Sequence, residues 1–226
     1  MSLVERVSLA GVSLDCMTVL SSMVPWDIDS GALRSNAMVQ STLRRLAHYT
    51  DRREALFRQP AWLSGSRVAA LAAEARGQSE LLRPDGLQLN DSGQMPHYLP
   101  TGLAVAELTS DTRFTDAIAA VYPGRCLGSP SNTSYVSYST RWQRCPLHID
   151  DADRFEFTVL ICVKHVRPPD VQPSSLMVLD SSGLCPKALS VGDAFVFHSA
   201  ARPHLRSPMA DGEQVCLLSV GFVEVD

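Results

Sequence analysis

The sequence predicts an α+β protein in which a mostly helical stretch, residues 1–125, supports a β-rich half, residues 126–226. Three observations predict it. Apolar residues recur at helical spacing before residue 125 and give way to short β-branched and aromatic runs after it. Those runs are separated by turn chemistry: Pro168-Pro169, Ser181-Ser182-Gly183, Gly192-Asp193 and Asp211-Gly212. Of the 226 residues, 45% are hydrophobic and 19% charged, which supplies a core and excludes wholesale disorder. No internal repeat and no linker composition divides the chain, so a single domain over 1–226 is expected.

Each element has a local reason. Ser30 caps a helix over 30–49, with Leu33, Leu43 and Leu46 on its apolar face. Residues 67–82 are rich in Ala, Leu, Glu and Arg, a helix-forming composition. Residues 84–100, rich in Asp, Gly, Ser and Pro, read as a long functional loop or lid. Ser110 or Asp111 opens a helix whose Phe114, Ile118, Val121 and Tyr122 share a face, and Pro123-Gly124 stops it. Strands are expected at 135–138, 155–163, 176–179, 194–197 and 215–223. Several short strands at close spacing indicate a sandwich or barrel.

Charge and motifs exclude several classes. The net charge of −4 argues against a basic nucleic-acid-binding face. The longest apolar run, 157–163, is far short of the roughly 18–20 residues that span a bilayer. Residues 1–16 make a poor signal peptide, and the six scattered cysteines read as reduced thiols of a cytoplasmic protein. There is no nucleophile elbow, P-loop or dinucleotide fingerprint. HIDDAD lacks the Gly and the Glu of a calcium loop, and Cys145 with His148 makes a zinc half-site without a second half.

The chemistry concentrates at His148, Asp150 and His204. In extended backbone His148 and Asp150 face the same side. Gly192-Asp193-Ala-Phe-Val-Phe197 is a turn feeding an apolar strand, and His204 follows it. Two imidazoles and a carboxylate can bind Fe(II) on one face and leave positions open for oxygen and substrate. His198 is an alternative second histidine.

These residues, with SYVSYSTRWQRCPLHID, FEFTVLICV and GDAFVFHSAARPHLRSPMADGEQVCLLSVGF, resemble the non-haem Fe(II)/2-oxoglutarate-dependent oxygenases, nearest to the prolyl-hydroxylase-like branch. The resemblance covers roughly residues 132–223. It implies a double-stranded β-helix (jelly-roll, cupin-like) core in the C-terminal half with buttressing helices. It implies Fe(II) on His148, Asp150 and His204, with 2-oxoglutarate and O2 as cosubstrates, in a dioxygenase that hydroxylates or otherwise oxidises an unactivated C–H bond. A small molecule, an amino acid or natural-product intermediate, is the first substrate class and a peptide or protein side chain the second. Nucleic acid and membrane partners are not expected.

One departure stands out. Gln214 occupies the place where most members carry an Arg or Lys for the distal carboxylate of 2-oxoglutarate. An amide cannot neutralise a carboxylate. Two replacement cations are visible: Arg206, on the face of His204 by its i+2 spacing, and Lys164, which strand parity places with Cys162 and Leu160. Arg206 is the more direct. Tyr138 resembles a tyrosine of the cosubstrate pocket, and Phe195, Phe197 or Val220 are candidates to wall the metal. Arg141, Arg144 and Arg154 crowd the His-x-Asp. Gln214 also motivates an iron oxygenase that does not use 2-oxoglutarate, and a non-catalytic jelly-roll module is the third reading.

Overall fold

A computed structural model describes residues 53–81, 95–130, 132–150, 152–169, 171–180 and 183–225. The expected helix over 30–49 and most of the 84–100 loop lie outside them. Ten strands form two antiparallel sheets: β1 (Glu54–Phe57), β2 (His97–Leu99), β3 (Asn132–Tyr138), β4 (Cys145–His148), β5 (Phe157–Val166), β6 (Leu176–Asp180), β7 (Gly183–Lys187), β8 (Ala194–Phe197), β9 (His204–Arg206) and β10 (Gln214–Phe222). The large sheet runs β1-β8-β5-β10-β3-β2 and the small one β4-β9-β6-β7. The helices are α1 (Gly65–Leu81), α2 (Leu103–Thr109), α3 (Thr112–Ala119) and the short α4 (Ala152–Phe155). None of them is long and apolar enough to cross a membrane.

Strand parity sorts the core into two layers. Val159, Ile161 and Val163 of β5, Ala194 and Val196 of β8, and Leu218 and Val220 of β10 face the helices. There they meet Leu71 of α1, Leu108 of α2 and Phe114 and Ile118 of α3, all fully buried. The alternate residues Leu160 and Cys162, Phe195 and Phe197, and Val215 and Leu217 face the small sheet, where they meet Leu176 and Val178 of β6. Each fully buried apolar side chain contributes roughly 1.5–3 kcal/mol. The large sheet is therefore covered on both faces, which is why its central strands are apolar almost throughout.

Two helices, α1 and α3, form where the residues predict, whereas α2 and α4 were not expected. Asp111 caps α3 by accepting from the Arg113 amide at 3.0 Å, and Gly124 takes the positive φ of 82° just beyond it. Val68, Leu71 and Ala75 give α1 its buried face. Glu74 of α1 accepts from the Gly102 and Ala104 amides at 2.9 and 2.7 Å, filling donors that the first turn of α2 leaves unpaired. One expectation is corrected. Residues 53–125 are not only helical: β1 and β2 supply both outer strands of the large sheet. Neither Glu-Ala-Leu-Phe nor His-Tyr-Leu signals a strand alone; pairing with β8 and β3 makes them so.

Candidate metal centre

Two of the three chelating candidates meet across one strand pair. On β4 and β9, His148 lies opposite His204, and their ring centroids are 4.2 Å apart. Asp150 follows β4 and is fixed by its backbone, whose amide donates to the Ser199 carbonyl at 3.1 Å. Its Oδ2 accepts from Thr158 Oγ1 at 3.0 Å, and Thr158 Oγ1 lies 2.7 Å from Ser199 Oγ, within hydrogen-bond distance. Its Oδ1 is left facing both imidazoles, 3.3 Å from His148 Nε2 and 3.7 Å from His204 Nε2. One ligand atom from each residue lies within 4.8 Å of the others, the one such group among the described residues.

The backbone sets the histidine tautomers. His148 Nδ1–H donates to the Pro146 carbonyl at 2.7 Å and His204 Nδ1–H to the Arg202 carbonyl at 3.0 Å. Both Nε2 atoms therefore point inward, the position a metal ligand requires. Electrostatics separate the two histidines. Burial, and then the neighbouring His148, push His204 down to about 4, so it is neutral at pH 7. Asp150 is held at about 2, because hydrogen bonding and charge from the two histidines outweigh its burial. Burial lowers His148 too, but Cys145 and Asp150 together take it well above its usual value. Two imidazole nitrogens and one carboxylate oxygen are a donor set that fits a divalent first-row metal, whose binding would displace the His148 proton.

The triad opens into a cavity of about 360 Å³ between the sheets. Val136, Leu160, Leu205 and Leu217 make its apolar walls, and Tyr98 of β2 stands at its rim. Phe155 reaches that rim because α4 lies directly on β10: a Cβ at Gly221 would stand 2.5 Å from the Arg154 carbonyl oxygen and from the Phe155 ring. Arg206 lines the same cavity and is 5% exposed. Cross-strand from Cys145, it lies one row beyond the His148–His204 pair. Its guanidinium carbon sits 5.2 Å from the centroid of the Tyr138 ring.

No family model matches the sequence, and no curated protein matches it. Solved structures do. The epimerase SnoN, in complex with Fe3+, α-ketoglutarate and nogalamycin RO, superposes with a TM-score of 0.59 at 16% identity, over 81% of this chain and 84% of that one. A Pseudomonas putida prolyl-4-hydroxylase does so at 0.53 and 16%, over 83% and 95%. HygX from Streptomyces hygroscopicus, with nickel and 2-oxoglutarate bound, gives 0.56 and 11%, over 76% and 82%. The chain has the fold of the Fe(II)/2-oxoglutarate oxygenases.

Within this oxygenase fold the residues singled out in the sequence separate into two groups. His148, Asp150, His204, Arg206 and Tyr138 all line the cavity. Lys164 and Gln214 do not. The pairing of β10 with β5 slips between Cys216 and Leu217, where Leu217 faces Cys162 but Cys216 faces Lys164. This bulge reverses the parity that would have put Lys164 beside Cys162. Lys164 instead points away from the cavity, and its Nζ donates to Gln214 Oε1 at 2.6 Å at the surface. His198 also lies elsewhere, stacked on Phe157 at 4.5 Å and 3.8 Å from Glu156. Phe197 packs edge-on against His204 at 4.9 Å, whereas Val220 faces the helices. Arg141, Arg144 and Arg154 are not among the lining residues.

The Cys145–His148 pair noted in the sequence is close in space, Cys145 Sγ lying 3.7 Å from His148 Nδ1, but Cys145 is outside the convergent group. The structure adds residues that the sequence did not reveal. Thr158 and Ser199 orient Asp150 from 8 residues and more away in the chain. Ser174 and Glu213 form a buried network behind Arg206. Only Tyr98 carried a signal, as part of the 84–100 loop.

Proposed function

We propose that this protein is an Fe(II)- and 2-oxoglutarate-dependent dioxygenase that hydroxylates or otherwise oxidises an unactivated C–H bond of a small molecule. One observation carries the reading: three convergent ligand atoms and a buried guanidinium line the same cavity. His148 and His204 would hold iron through Nε2 and Asp150 through a carboxylate oxygen, and Arg206 would take the distal carboxylate of 2-oxoglutarate. When bound, iron and 2-oxoglutarate supply the oxidising power toward O2 and the substrate. The chain's own residues supply the rest. The Pro146 and Arg202 carbonyls hold the Nδ1 protons, Thr158 fixes Asp150, and the apolar walls exclude water. The two facing sheets support a double-stranded β-helix core within a single oxygenase domain. Free thiols at Cys145, Cys162 and Cys216 support a cytoplasmic location.

The lining also favours a substrate class. Among the described lining residues, the only ionisable side chains besides Cys145, Tyr98 and Tyr138 are the triad and Arg206. With those engaged, the remaining polar contacts are hydroxyls such as Ser134 and Ser219, which lie opposite each other on β3 and β10. An uncharged natural-product intermediate fits this wall better than a free amino acid, and SnoN belongs to nogalamycin biosynthesis. The test is anaerobic. Apo-protein is loaded with Fe(II) and titrated with 2-oxoglutarate. The expected result is a saturable visible charge-transfer band, its Kd raised about 100-fold by Arg206→Ala and unchanged by Lys164→Ala. Iron binding without the band would move the assignment to a 2-oxoglutarate-independent iron oxygenase. Absence of iron binding would leave a non-catalytic module.

A further inference from the structure

Behind the cavity, Arg206 is held by one residue, Ser174, through its hydroxyl and, at 3.4 Å, its carbonyl. Ser174 precedes β6 and is 5% exposed. Its Oγ accepts from Arg206 Nε at 3.1 Å and from Nη2 at 2.8 Å. Its own proton has two acceptors in reach, Glu213 Oε1 at 2.9 Å and Met209 Sδ at 3.1 Å, and the carboxylate is much the stronger, so the proton goes to Glu213. A serine hydroxyl has one proton and two lone pairs, so these three bonds use it completely. Glu213, 1% exposed, is itself immobilised. The Ser174 amide lies 3.0 Å from each of its oxygens, the Ala210 amide 3.0 Å from Oε2, and His165 Nε2 2.8 Å from Oε1. Because Glu213 takes the Ser174 proton, the Ser174 lone pairs are turned to Arg206. The Tyr138 ring lies against the guanidinium. The Nε–Nη2 edge is thus engaged, and Nη1 has no hydrogen-bond partner among the described residues.

We infer that Ser174, oriented by Glu213, is a positioning residue that aims the Nη1 edge of Arg206 at the distal carboxylate of a dicarboxylate cosubstrate. The inference rests on the proposed function. Its physical basis is the length of the arginine side chain, which loses rotamer entropy when fixed. Ser174 fixes it before the ligand arrives, so less is lost on binding. The probes are 2-oxoglutarate and oxalate on Fe(II)-loaded protein without oxygen, followed by the charge-transfer band and by calorimetry. Oxalate chelates iron but has no distal carboxylate. Ser174→Ala, and Ser174→Cys, which keeps the volume, are expected to raise the Kd of 2-oxoglutarate about tenfold or more. They leave the affinities for Fe(II) and oxalate unchanged. Ser174→Thr, which keeps the hydroxyl, stays within about threefold of wild type on the same scale. Unchanged 2-oxoglutarate binding in the Ala and Cys variants, or an equal loss of oxalate binding, overturns the inference alone. Iron-loaded wild type that binds no 2-oxoglutarate overturns the proposed function with it.

Discussion

The two sheets differ in what they carry. The large sheet has the long strands, 10 residues in β5 and 9 in β10, and buries apolar side chains on both faces. The small sheet has strands of 3 to 5 residues, yet it holds His148, His204 and Arg206, with Asp150 just beyond β4. Packing energy and chemistry are thereby assigned to different walls of one cavity. The short strands are held in register by β-pairing and backbone-anchored side chains, and the long strands supply a wall that need not move when the site is changed. If this division is real, substitutions on the small sheet alter ligand binding at nearly constant stability, and substitutions on the large sheet do the reverse.

The largest effect is expected at the triad. His148→Ala or His204→Ala should abolish stoichiometric iron binding and lower succinate formation by at least about three orders of magnitude, since a facial site loses one of its three ligands. Melting temperature should move by only a few degrees. Iron content by elemental analysis, measured beside thermal melting, checks both halves, and iron-dependent turnover retained in both variants would sink the assignment. The converse substitution is Phe157→Ala. Phe157 is fully buried on the helix-facing side, against Tyr122 and His198. Its truncation should cost about 3–5 kcal/mol, read as a lower urea midpoint. Iron affinity of the folded fraction should stay at the wild-type value; a loss in proportion to stability would show that the two walls are one cooperative unit with the metal centre.

How much of this was legible follows the same division. β5, β8 and β10 were readable because long or apolar strands declare themselves through β-branched and aromatic residues. β4 and β9 were not: Cys-Pro-Leu-His and His-Leu-Arg have no strand composition and become strands by pairing with each other. Arg206 was reachable by i+2 parity because β9 is regular over those residues. The same argument failed for Lys164, where one extra residue in β5 reverses the face. The helix start at Asp111 was local and came out as expected, whereas the helix ends at Ala119, short of the expected stop at Pro123-Gly124. The Ser174–Glu213 network was unreadable, because its partners are 39 residues apart and neither residue type signals a site.

Glu213 gives the finest test of the comparison, since it braces the small sheet's cation from loops and not from a core. Burial would raise its pKa, but His165, the Ala210 and Ser174 amides and the Ser174 hydroxyl together hold it at about 2. A carboxylate whose folded value lies below its ordinary value near 4.5 stabilises the fold above that ordinary value. The contribution is lost as pH falls toward the folded value. At pH 7, Glu213→Gln should therefore be less stable than wild type by about 1–3 kcal/mol. The gap should hold down to about pH 5 and narrow steadily from there toward pH 2. Urea melts of the two proteins at matched pH isolate this one group, because every other carboxylate is common to both. A gap that stays constant through pH 3 would mean that the charge on Glu213 does nothing for the fold. Its hydrogen bonds would then be matched by an amide, and the bracing of Arg206 would rest on Ser174 and the Tyr138 ring alone.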